Sequence, residues 1–165
     1  MTPAPDDPSS AALRVDIGVA AGVDAPAAGP STTDAGPEPT VTVTVTNVSL
    51  RPVVIAARLA MGYRASTERE LYAVVTDPVS GDEVGIPAQL YQRGRLRADD
   101  LQVLAPGDQV GTAVRLDDWY DHPAGELDVR MVYDSNEAAD QFPQVLRATV
   151  VSEPVRIPMS GTGWE

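Results

Sequence analysis

The 165-residue chain has no cysteine, no lysine, one histidine and few aromatics, 5% in all. Without cysteine there is no disulfide, no thiolate zinc site and no cysteine nucleophile or redox role, which agrees with a reducing compartment. With so few aromatics, Val, Leu, Ile and Ala must build most of the core. No apolar run approaches the roughly 18 residues that cross a bilayer. The start, MTPAPDDPSS, lacks the basic and apolar segments of a secretory signal. The expectation is a cytoplasmic protein with no membrane partner. Every basic residue is Arg, which we read as the codon composition of a GC-rich bacterial genome rather than as a use of the guanidinium group.

What is present is acid. Twenty-four Asp and Glu against 12 basic residues give a net charge of −12, which would repel a phosphate backbone over most of the surface and argues against nucleic acid. Hydrophobic residues at 43% and charged residues at 22% are the balance of a folded chain. The length suits one core.

The strongest pattern is period two. Leu13, Val15, Ile17 and Val19 alternate with Arg14, Asp16 and Gly18, as a half-buried strand demands. TVTVTVT at 40–46 repeats this with β-branched residues, which fit a pleated surface. Val110, Val114 and Leu116 share a face within 109–116, and Leu127, Val129, Met131 and Tyr133 share one within 125–133. Further strands are expected over 52–59, 71–77, 83–91 and 145–158. Pro87 and Pro154 interrupt the last two and point to edges or bulges. TNVSLRP, DPVSGDE and LAPGDQ carry turn chemistry. With no long helical pattern, the expected fold is all-β, a single immunoglobulin-like β-sandwich of about 7–9 antiparallel strands over residues 11–159. A flexible loop is expected at 24–39, with flexible tails at 1–10 and 160–165, the latter carrying Trp164.

TVTVTVTNVSLRPVVI, followed by the run from LYQRGRLRADD to DVRMVY, resembles the β-sandwich domain that precedes the catalytic domain of deuterolysin-type metalloendopeptidases. The matching residues are Thr46, Asn47, Ser49, Pro52 and Val53, then Leu104, Pro106, Gly107, Leu116, Tyr120 and Gly125. The likeness spans roughly residues 13 to 133. It implies a module like a pro-domain, which assists or restrains a protease. The chain departs from that family in two ways. No His-Glu-x-x-His helix occurs, so the metalloprotease chemistry is absent. The late strand opens Gly125-Glu126-Leu127, so the tyrosine-corner bond expected there is replaced by packing.

The single histidine lies in DDWYDHPAG, residues 117–125. As a general base His122 would be oriented by Asp118 or Asp121, but no Gly-x-Ser-x-Gly elbow and no cysteine supplies a nucleophile. The favoured reading is a corner that carries the chain from one sheet to the other, with Trp119 and Tyr120 capping the core and His122 at the surface. DSNEAAD at 134–140 offers oxygen ligands but lacks the pattern of a calcium loop, and reads as a solvated loop. Asn47-Val48-Ser49 fits a glycosylation sequon and reads more simply as a polar turn.

Arg93, Arg95 and Arg97 alternate, so a strand there would present a basic stripe to an acidic partner; the plainer reading is a charged edge balanced by Asp99 and Asp100. The candidate binding residues are therefore Arg93, Arg95, Arg97, Trp119, Tyr120 and His122. No catalytic residue, metal or cofactor is expected. The expected function is non-enzymatic binding of another protein, as an accessory, chaperone-like or inhibitory partner of a protease. The alternative is a structural subunit of a larger assembly.

Overall fold

The computed structural model describes residues 12–20, 40–88 and 94–159. The loop expected at 24–39, both tails with Trp164, and Arg93 lie outside the described residues. Among the described residues the chain is mostly strand. The order is β1 (Leu13–Ala20), β2 (Thr40–Asn47), β3 (Val53–Ala56), β4 (Met61–Gly62), β5 (Leu71–Thr76), β6 (Ile86–Pro87), β7 (Leu101–Leu104), β8 (Gln109–Arg115), α1 (Leu116–Trp119), β9 (Tyr120–Asp121), β10 (Gly125–Asp134), α2 (Asn136–Gln141), β11 (Thr149–Val151) and β12 (Val155–Met159).

These strands form a three-stranded sheet β1-β2-β8, a five-stranded sheet β11-β10-β5-β4 in which β12 also pairs β10, and two-stranded pairs β3-β7 and β6-β9. The strand segments outnumber the seven to nine expected because continuous sequence patterns are cut in space. The run expected over 145–158 divides at Ser152–Pro154 into β11 and β12. There the Ser152 hydroxyl accepts the Met131 N–H at 2.9 Å and Ser152 N–H donates to the Met131 carbonyl at 2.9 Å. The sheets are antiparallel except for β4 and β5, which pair in parallel.

Alternation builds the core. Val15 on β1, Val41, Val43 and Val45 on β2, and Val114 on β8 belong to one buried cluster with Leu71 and Val75 on β5, Leu127, Val129, Met131 and Tyr133 on β10, and Ile157 on β12. Each fully buried side chain of this size contributes roughly 1.5–3 kcal/mol. A smaller cluster gathers Ala56, Leu96, Ala138, Ala139 and Val145 under α2. Leu127, standing where the tyrosine corner would be, is buried in the main cluster.

Buried polar groups hold the connections. Asn47 is fully buried: its amide donates to the carbonyls of Arg51 at 2.8 Å and Leu104 at 2.9 Å, while its side-chain oxygen accepts from Ser49 N–H at 2.9 Å and the Ser49 hydroxyl at 2.7 Å. The nitrogen that a glycan would occupy is committed inside the turn, so the sequon is structural. Arg58 grips both oxygens of buried Glu70, at 3.0 and 2.7 Å. Arg69 binds the carbonyls of Tyr63 and Arg64 and the carboxylate of Asp134. No helix among the described residues is long and apolar enough to cross a membrane.

Candidate functional site

The DDWYDHPAG stretch does carry the chain between sheets. It leaves β8 of the three-stranded sheet, makes the single turn α1, pairs briefly with β6 through β9, and enters β10 of the five-stranded sheet. Trp119 and Tyr120 are buried here. Both meet Tyr63 edge-on, with ring centroids 5.8 and 5.3 Å away. The Tyr63 hydroxyl donates to the Trp119 carbonyl at 2.7 Å. The Tyr120 hydroxyl donates to the Ala73 carbonyl at 3.1 Å and accepts the Ala73 N–H at 3.3 Å. Burial pushes this hydroxyl up to about 12, against the lowering effect of the Ala73 bond.

His122 is a correction: it is 1% exposed, not a surface residue. Its Nε2 donates to Asp117 at 2.5 Å, and Nδ1 lies 3.1 Å from the Pro123 carbonyl. The orienting carboxylate is Asp117 rather than Asp118 or Asp121, because the turn of α1 swings position 117 back over the ring. A buried imidazole needs such a polar partner. The ring, the carboxylate and both neighbouring aromatics brace the corner.

The segment that carries Arg95 and Arg97 is not a strand. Residues 94–97 pair with no strand among the described residues, and Gly94 takes the left-handed φ of +75°. Leu96 is buried between exposed Arg95 and Arg97, and the segment is tied down by bonds from Arg58 to the Gly94 carbonyl at 3.0 Å and from Gln141 to the Leu96 carbonyl at 2.5 Å. The Arg97 N–H donates to Asp100 at 2.8 Å, opening a 3-10 turn at Ala98–Asp100. Asp100 thus serves the backbone, and Arg95 and Arg97 face solvent.

Residues 134–140 are mostly helix rather than solvated loop. Asp134 is spent on Arg69 and on Asn136, whose N–H reaches it at 3.0 Å and whose amide reaches it at 2.7 Å. Burial raises the Asp134 carboxyl, but the Asn136 N–H and the Arg69 guanidinium outweigh it and hold the group below the usual carboxylate range. No cluster of His, Asp and Glu poised to hold a metal occurs among the described residues.

The feature that sequence reasoning missed is the outer edge of β8. Asn47 N–H donates to the Asp108 carbonyl at 2.9 Å and its carbonyl accepts from Gly107 at 2.8 Å, whereas Val48 N–H donates to Ala12 on the other side at 2.9 Å. Backbone groups on an antiparallel strand alternate sides. Odd-numbered residues of β2 therefore face β8, and even-numbered ones face β1. The register Val41↔Val114, Val43↔Thr112 and Val45↔Val110 assigns the β8 ladder bonds to residues 110, 112 and 114. Gly111 and Ala113 turn their N–H and C=O outward, where no strand among the described residues pairs with them.

Some of the other edge strands are blunted. Strand β12 carries Pro158 and β6 carries Pro87, each withholding a donor, and β1 carries the exposed pair Arg14–Asp16 at 2.8 Å. Such devices deter strand pairing. From Gln109 to Val114, β8 has neither proline nor charge.

A cleft of about 300 Å³ runs beside this edge, lined by Thr112–Arg115 on one side, Arg58–Met61 on the other, and Asp118 and Trp119. Leu59, Met61, Val114 and Trp119 lie behind it, each less than a tenth exposed, so the surface it opens to solvent is mostly polar. Leu59 holds a left-handed φ of +50°, a costly conformation for a bulky side chain. The neighbouring bonds impose it: Ala60 N–H donates to Glu70 at 3.2 Å, and Ala60 O accepts from Glu70 and Leu71. No protein-family model matches the chain, and no curated protein resembles it significantly.

Proposed function

We propose that the protein is an immunoglobulin-like β-sandwich that acts without catalysis, by binding another protein in the cytoplasm as an accessory or inhibitory partner of a protease. The observation that carries the reading is the outer edge of β8, which pairs with no strand among the described residues and lies beside a cleft of about 300 Å³. Exposed backbone groups of this kind bind polypeptide by strand addition. The resemblance of residues 13 to 133 to the deuterolysin pro-domain supports a protease as the partner. Arg95 and Arg97 are exposed in the segment that Arg58 ties to one wall of the cleft, and they add attraction for an acidic partner.

Affinity capture from native lysate, read by mass spectrometry, tests this. Recovery of one protease, reduced when Arg95 and Arg97 are changed together to Gln, is the expected result. Recovery of only the protein itself or a filament subunit would replace it with the structural-subunit reading.

A further inference from the structure

We infer that the connection Val48–Pro52 is the segment a protease receives, with the Leu50 side chain seated in an apolar primary specificity pocket and the Leu50–Arg51 peptide bond held in place rather than turned over. This rests on the reading of a protease as the partner and specifies the contact.

Three observations carry it. Leu50 is 95% exposed, the most exposed of the large hydrophobic side chains among the described residues, and a side chain left in water in this way is the kind that a partner's pocket stabilises by removing it. Next, the backbone on either side of Leu50 is fixed while its own is free. Ser49 N–H donates to the Asn47 side-chain oxygen at 2.9 Å and Arg51 N–H to the Ser49 hydroxyl at 3.3 Å. The Arg51 carbonyl accepts from the Asn47 amide at 2.8 Å and from the Ser49 hydroxyl at 3.0 Å. The N–H and C=O of Leu50 bond to nothing among the described residues. A protease needs that carbonyl free, since its oxyanion hole takes the oxygen of the bond it attacks.

Last, the chain does not double back here. It passes from β2 in the three-stranded sheet to β3 in the β3-β7 pair, with no left-handed φ between Val48 and Pro52, and Pro52 fixes the exit. Val79, 94% exposed, makes the contrast. Its own N–H is taken by Asp77 at 2.7 Å, in a turn that Asp77 N–H closes onto Asp82 at 2.8 Å, so the chain reverses there and is too curved for a cleft.

A loop ordered before binding loses little freedom when bound, which is how protease inhibitors bind tightly. The side chain of Asn47 also touches both sides of the Leu50–Arg51 bond, through Ser49 and through Arg51. If water were added across that bond, the Leu50 carboxylate and the Arg51 amine it leaves would stay side by side, so release is slow and the bond re-forms.

The test uses the whole protein with chymotrypsin, whose specificity pocket is apolar, and with trypsin, whose pocket carries a carboxylate, each followed on a chromogenic peptide. The unaltered protein should inhibit chymotrypsin and spare trypsin. Leu50→Ala should weaken inhibition at least about thirtyfold, as loss of a central anchor does. Leu50→Arg should move inhibition to trypsin. Both changes fall on an exposed side chain and should leave the melting temperature unchanged. Ser49→Ala frees the loop on both sides and should turn the inhibitor into a substrate, cut at Leu50–Arg51 as read by mass spectrometry.

No inhibition of chymotrypsin, inhibition indifferent to Leu50→Ala, or rapid cutting of the unaltered protein at Leu50–Arg51 overturns the inference. So does a Ser49→Ala protein that inhibits equally well and stays uncut. A protease captured from lysate as well by Leu50→Ala as by the unaltered protein overturns the loop assignment alone and leaves the protein-binding reading standing. Capture of no protease removes that reading, and the inference with it.

Discussion

Asn47 at the end of β2 and Ala113 on neighbouring β8 sit in one sheet and treat their polar groups in opposite ways. Asn47 is buried, and its amide and carbonyl oxygen bond to Arg51, Leu104 and Ser49 while its backbone bonds to Gly107 and Asp108. Ala113 is exposed, and its outward N–H and C=O meet no strand among the described residues. A buried group without a partner costs the fold its full desolvation, whereas an exposed one is served by water. The first kind of position therefore fixes the architecture, and the second is free to be used by something else. Arg58–Glu70 and His122–Asp117 belong with Asn47.

Substitutions should separate the two kinds of position, beginning with the largest loss. Glu70→Ala leaves Arg58, whose side chain is only 17% exposed, without its carboxylate and also strips Ala60 of an acceptor. Destabilisation of about 3–5 kcal/mol is expected in urea unfolding, with Glu70→Gln costing less. Asn47→Ala withdraws a donor from the Leu104 and Arg51 carbonyls, the latter keeping the Ser49 hydroxyl, and frees the Ser49 turn, for about 1–3 kcal/mol by the same measurement.

Acid probes the same network by titration. The Asp134 carboxyl is held below its ordinary value, so as pH falls below about 4 the unfolded chain takes up the proton first and stability declines until the folded group is protonated. Asp134→Asn should flatten that part of the stability–pH curve. The smallest effect belongs to the edge: Ala113→Pro should change the unfolding free energy by less than about 1 kcal/mol, because it breaks no ladder bond. A loss as large as that of Asn47→Ala would show that the outward N–H of Ala113 is structural, and the contrast would fail.

The strands that alternate were legible in the sequence for a physical reason. TVTVTVT and GELDVRMVY each put every second residue into one core, and β2 and β10 match them to within a residue at their ends. Strand β7 was missed because only Leu104 of its four residues is buried; its partner is the short β3, so no alternation marks it. The helix α2 was read as a loop because its polar residues outnumber the two alanines, Ala138 and Ala139, that it buries.

His122 was misplaced because burial of an imidazole depends on where a carboxylate five residues earlier points, and only the turn of α1 determines that. The six residues singled out do not form one surface. Trp119, Tyr120 and His122 are buried at the corner, with Trp119 reaching the cleft wall, while Arg95 and Arg97 face solvent in an unpaired segment. The β8 edge left no sequence signal of its own, since QVGTAVR reads as any strand, and whether a strand is central or terminal is a property of the assembled sheet.

A strand margin left without proline or charge has a bearing on how the protein behaves in a tube. Its colloidal dispersion depends on the long-range field of 12 surplus negative charges rather than on any local obstacle. Acidification or heavy salting removes that field, so under those conditions clumping should begin at the β8 margin while the rest of the molecule is still folded.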